Sequence, residues 1–175
     1  GVTPYVQILQ TNRAWYSLDT DGAVELEGGL MKHSIGGYSS KSDAYAYTPG
    51  QKGEFADGST RVFSLREQDG QPRITTDIHF PILGPPRYIG GSGPRVLVAY
   101  GYDNANVSDE YLEELFALWK ELGVGPTSAM PDGVQGSGEQ YQMYLEYDQV
   151  FNFRDAVDHI DSGLTKRIDP ETGEA

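Results

Sequence analysis

The stretch from Arg61 to Phe80 constrains the fold of this chain more than any other. Asp69-Gly70 is turn chemistry, and apolar and polar residues alternate on both sides of it. A type I′ turn there sets Arg66 opposite Arg73, Leu65 opposite Ile74, Ser64 opposite Thr75 and Phe63 opposite Thr76. The period of two then puts Phe63, Leu65, Ile74, Thr76, Ile78 and Phe80 on one face. Ser64, Arg66, Thr75, Asp77 and His79 share the other. The apolar face belongs to a core. The polar face is either solvated sheet or the wall of a site.

Further elements gather around this hairpin. Tyr5–Leu9 and Ala14–Leu18 are short aromatic and β-branched runs that read as strands, the second equally as a helical turn. Asp19-Thr20-Asp21-Gly22 reads as a turn; it opens like a calcium loop but lacks the remaining ligands. Ala23, Val24, Leu26, Leu30 and Met31 could line one side of a short helix, made costly by Gly28 and Gly29 at about 1 kcal/mol each. Residues 39–60, 81–94 and 124–139 are rich in Gly, Pro, Ser or Tyr and read as long connections. Arg95–Tyr100 is a near-continuous apolar strand of the kind found centrally in a sheet. The strongest helix is 108–122, with Ser108 as cap, Asp109 and Glu110 in the first turn, and Gly123 as stop. Its stripe of Tyr111, Leu112, Leu115, Phe116, Leu118, Trp119 and Leu122 is core. Residues 141–147 read as a half-buried strand, 153–164 as a second helix, and 169–175 as a frayed polar tail.

Together these predict an α+β fold: a single domain over 1–168, with a mixed or antiparallel sheet holding the 61–80 hairpin and covered by helix 108–122. At 175 residues such a domain buries a core without staples. No apolar run approaches the roughly 18 residues that cross a bilayer, and no signal-peptide core is present. The chain begins Gly1-Val2-Thr3 without Met, as a mature form or a cut-out domain does. With no cysteine there are no disulfides, thiolate metal sites or thiol catalysis. Thirteen Lys and Arg against 26 Asp and Glu give a net charge of −13, and the basic residues are scattered. That disfavours direct nucleic-acid binding, which needs a basic patch. The charge aids solubility or presents an acidic face to a basic protein partner.

The order Glu27-Gly28-x-x-Met31-x-His33-Ser34-Ile35-Gly36-Gly37-Tyr38, then Arg61–Arg66, then Pro72–Ile78, resembles the PcfJ-like family of phages, prophages and conjugative plasmids. Gly101-Tyr102-Asp103-Asn104 before a helix matches that family's later G-x-x-N element, and the resemblance spans roughly Asn12 to Leu122. The family's His-Cys is His33-Ser34 here, and the acid ending the second hairpin strand is Asp77 instead of Glu. The resemblance implies an accessory domain of a mobile genetic element in the bacterial cytoplasm. It would act by protein contacts in a DNA-processing or transfer assembly. Tyr38 and Asn104 are the binding residues that the matching motifs imply.

Two other readings stand beside this one. A hydrolase would use Ser34 as nucleophile, His79 or His33 as base, Asp77 as orienter and Arg66 as oxyanion or phosphate holder. In the alternative for the same residues, His33 bonds backbone and Arg66 pairs with Asp77 across the sheet. The third reading is a virion or other structural component, which the Tyr-rich and Gly-rich loops would suit. No metal-ligand spacing such as H-x-x-x-H joins His33 to His79, and no Gly-rich segment has the context of a phosphate cradle. No cofactor is expected.

Overall fold

The computed structural model describes residues 1–35, 60–79, 95–124, 133–134 and 157–175. These form a six-stranded antiparallel sheet with a helix on each face, an α+β domain. The strands are β1 (Val2–Ile8), β2 (Ala14–Leu18), β3 (Thr60–Arg66), β4 (Pro72–His79), β5 (Arg95–Tyr100) and β6 (Thr165–Arg167). They lie in the order β5-β4-β3-β2-β1-β6. The helices are α1 (Asp21–Met31) and α2 (Asp109–Leu122). The expected strand 141–147, residues 153–156 of the expected helix 153–164, and Phe80 lie outside the described residues; the described end of that stretch closes in a single 3-10 turn, Ser162–Leu164, and not a continuous helix.

The hairpin has the expected pairs Leu65–Ile74, Ser64–Thr75 and Phe63–Thr76, but Arg66 pairs with Pro72 through an irregularity, not with Arg73. The turn is the reason. A type I′ turn needs two residues at positive φ, and here only Gly70 is, at 91°. Gly70 N–H donates to the Glu67 carbonyl at 2.9 Å and Glu67 N–H to Gln71 at 3.0 Å, which makes a longer loop ending in a glycine bulge.

Alternation along the strands gives the sheet two buried faces. Trp15, Phe63, Leu65, Ile74, Ile78 and Ala99 point toward α2 and join Leu112, Leu115, Phe116 and Trp119 in the main core. The Trp15 indole N–H donates to the Glu114 carbonyl at 3.0 Å, tying helix to sheet. On the opposite face Leu18, Val62 and Val98 pack with Ala23, Val24 and Ile35. The polar side of the hairpin is therefore neither solvated nor an open wall, because α1 covers it.

Helix α1 forms in spite of its glycines because its start is capped and its inner side is anchored. Thr20 is extended and its hydroxyl accepts from Ala23 N–H at 3.1 Å, so the sequence that reads as a turn is a helix N-terminus. Its buried residues are Ala23, Val24, Glu27 and Met31, while Leu26 and Leu30 face outward. Hydropathy assigns those leucines to the inner side; the structure puts a carboxylate there instead. Ser108 occupies the N-cap position of α2 without a side-chain cap hydrogen bond. The residues after Ile168 are not frayed: Asp169 N–H donates to the Glu174 carbonyl at 2.8 Å and Gly173 N–H to Asp169 at 2.7 Å, closing a turn.

Candidate functional site

Beneath α1 lies a polar layer built from the hairpin's second face. Arg66 Nη2 donates to Glu27 Oε1 at 2.9 Å, Thr75 Oγ1 donates to Glu27 Oε2 at 2.7 Å, and Arg66 Nε donates to Ser64 Oγ at 3.1 Å. The Arg66 guanidinium also sits 5.7 Å from the centre of the Tyr16 ring. The Glu27 side chain is wholly buried and that of Arg66 keeps 19% exposure. Asp77 is fully buried in the same face. Arg66 thus pairs with Glu27, not Asp77, because the helix brings a carboxylate down onto the strand. Its Nη2 and Nε donors are taken by Glu27 and Ser64, which is the arrangement of a structural ion pair.

His33 and Ser34 follow α1 and part company. His33 is 7% exposed while Ser34 is exposed. Among the described residues neither His33 ring nitrogen has a hydrogen-bond partner. Burial pushes the His33 pKa below its ordinary value, with the nearby backbone and the Glu27 carboxylate pulling the other way. The folded state therefore takes up this proton less readily than the unfolded chain. His33's contribution to stability is complete above about pH 6.5 and is lost as pH falls below that toward the folded pKa. His33→Leu should flatten this part of the profile, read as the urea midpoint at about pH 7.5 and about pH 6. An unchanged slope would place the pH dependence on other groups.

Of the residues singled out in the sequence, the structure brings together Ser34 and Asn104. Asn104 Oδ1 accepts from Ser34 backbone N–H at 2.8 Å, so the contribution seen is from the Ser34 main chain. Asn104 reaches it from a tight turn in which Asp103 and Asn104 both have positive φ, 60° and 56°. Ala105 N–H donates to Tyr102 at 3.1 Å and Gly101 N–H to Ala105 at 2.9 Å. Asn and Asp tolerate this geometry best among non-glycine residues. Asn104→Ala should cost about 1–2 kcal/mol, from a lost hydrogen bond and a left-handed alanine, and Asn104→Gly less. Equal losses in chemical denaturation would mean that the backbone conformation contributes nothing. His79 is placed by its backbone opposite Thr60 and Arg95; its imidazole, like Tyr38, lies outside the described residues.

Sequence reasoning missed a second charged cluster, on the side of the sheet that carries α2. Arg13 donates to both Glu114 carboxylate oxygens, with Nε at 3.1 and 3.0 Å and Nη2 at 2.8 Å, and through Nη1 to Glu67 at 3.1 Å. Its guanidinium lies 4.8 Å from the Tyr111 ring centre, and Arg73 Nε donates to Glu67 at 3.3 Å. The members come from four separate places in the chain, so no local spacing signals them. The cluster clamps the start of β2, the hairpin turn and α2 together.

Beside this clamp opens a pocket of about 460 Å³, walled by the end of α1, the start of β4, the 101–106 turn and the first turn of α2. Leu30, Met31, Pro72, Ile74, Tyr102 and Tyr111 give it an apolar lining, and Arg73, Asn106 and Ser108 add polar groups. Its size is in the range of ligand pockets. Burial and Glu110 hold the Tyr111 phenol above its usual pKa. On the far side of α2's first turn is a groove of about 240 Å³ whose walls include Asp109, Glu110, Glu113, Glu114 and Thr11. Among the described residues no group of three or more His, Asp or Glu side chains is placed to hold a metal ion. No helix among them is long and apolar enough to cross a membrane. No family model, curated protein or solved structure matches this chain.

Proposed function

We infer that this domain works by protein contacts within a larger assembly, with its acidic surface meeting a basic partner. The observation that carries this reading is the sealed layer of Glu27, Arg66, Ser64 and Thr75. Arg66, the anion holder of the hydrolase reading, is spent on holding α1 to the sheet, and the open concavities lie elsewhere. The net charge of −13 and the carboxylates along α2 supply the field for such a partner. The setting in a phage or conjugative-plasmid assembly, and with it the bacterial cytoplasm, rests on the resemblance of the 27–38 and 61–78 motifs to the PcfJ-like family.

The test is a titration of the domain against a Lys/Arg-rich protein fragment and against duplex DNA, by fluorescence anisotropy at low and high salt. Saturable binding of the basic fragment that weakens with salt is expected, with no binding of DNA. Tighter binding of DNA than of the fragment would overturn the proposal.

A further inference from the structure

Three of the five large apolar side chains that stand exposed among the described residues gather at one place. Leu30 is 55% and Tyr102 54% exposed on the walls of the 460 Å³ pocket, and Leu26, at 64%, lies one turn back on the same helix face as Leu30. Scattered exposed leucines need no explanation, but a cluster at the mouth of an apolar pocket does. These leucines are also the ones displaced outward when Glu27 takes the inner position of α1.

Two basic side chains stand at this mouth, together with the Glu110 carboxylate that hydrogen-bonds the Tyr111 hydroxyl. Lys32 projects over the Tyr102 ring, 5.8 Å from its centre, and among the described residues makes no ion pair. Arg73 lines the pocket with 37% of its side chain exposed and shares Glu67 with Arg13. Two cations thus flank an apolar cavity in a chain of net charge −13. The cavity is also pre-shaped, since the Asn104–Ser34 hydrogen bond pins the 101–105 turn to the end of α1. A pocket already open loses less on binding than one that must form.

We propose that this pocket seats a peptide segment of a partner in which an apolar side chain neighbours an Asp or Glu. The apolar group enters between Leu30, Ile74 and Tyr111, and the carboxylate reaches Lys32 or Arg73. This goes beyond the basic-partner contact, because α2's first turn separates the pocket from the acidic groove.

Three short peptides test it, one of leucine and glutamate, one of leucine and lysine, one of serine and glutamate, each followed by amide chemical shifts at Tyr102 and Tyr111. The leucine–glutamate peptide should shift these residues saturably, and the other two should bind at least about fivefold more weakly. Lys32→Glu should weaken it about tenfold and Leu30→Ser about fivefold. Both side chains are exposed, so the thermal midpoint should stay within a degree or so of the parent. Binding of the basic fragment should be unaffected by Leu30→Ser. The proposal is overturned if the leucine–lysine peptide binds as well, if no peptide shifts the pocket, or if the domain self-associates through Leu26 and Leu30 instead.

Discussion

Arg66→Ala is expected to lower the stability of the domain by about 3–5 kcal/mol, the range for breaking a buried pair by removing one partner. The substitution leaves the Glu27 carboxylate, wholly buried, between α1 and the sheet with the Thr75 hydroxyl as its remaining donor among the described residues. It also removes the contact of the guanidinium with Tyr16 and the Ser64 hydrogen bond. Glu27→Gln keeps the shape and an acceptor for Arg66, and should cost less, about 1–3 kcal/mol. Replacing both, Glu27→Leu with Arg66→Met, should restore much of the loss, because an apolar pair of similar volume has no desolvation penalty. Urea denaturation at pH 7 reads all three, with an unchanged slope as the sign that the two states are the same. A loss under about 1 kcal/mol for Arg66→Ala would mean a solvated surface pair, and α1 would not be the cover described above.

The same pair explains which parts of the fold could be read from sequence. The hairpin and α2 are legible because their signals are local: alternation around Asp69-Gly70, and a helical apolar stripe between Ser108 and Gly123. Helix α1 is the opposite case. Its inward side is chosen by what lies across from it, and Arg66, 39 residues away, requires a carboxylate there. Hydropathy puts Leu26 and Leu30 inside, and the structure turns both outward and buries Glu27. The two glycines at 28 and 29 raise the helix's cost, and the anchoring by Thr20 and Glu27 offsets it. An alternating strand with one polar face reads as half-solvated, so a polar layer sealed by a helix has no signature of its own. The candidate site follows the same logic. Ser34 and Asn104 were both visible as motif residues, but their meeting depends on a left-handed turn that only three-dimensional packing places against the end of α1. The Arg13 clamp, spread over residues 13, 67, 73 and 114, left no trace in spacing at all.

Gly133→Ala is the second substitution expected to have a large effect, and Gly70→Ala is its internal control. Both glycines have φ of 91°, where an L-residue is strained by about 1–2 kcal/mol. At Gly70 an added Cβ meets nothing within 4 Å, so the conformational cost should be the whole effect. At Gly133 the Cβ would fall 1.4 Å from the Ala99 carbonyl oxygen and 2.6 Å from its carbon. Those are backbone atoms of β5, an outer strand of the described sheet, and they cannot swing aside as a side-chain end can. Relief requires the 133–134 segment to leave the strand. That would cost the hydrogen bond from Val107 N–H to the Gly133 carbonyl, 2.7 Å, and withdraw Val134, 1% exposed, from the core it shares with Val107 and α2. The sum of strain, lost hydrogen bond and lost burial is about 4 kcal/mol or more, against about 1–2 kcal/mol at Gly70. Thermal and urea unfolding of the two variants side by side separates the terms. Equal losses would show that residue 133 does not rest against β5, and the larger loss at 133 would establish that contact as part of the cooperative unit.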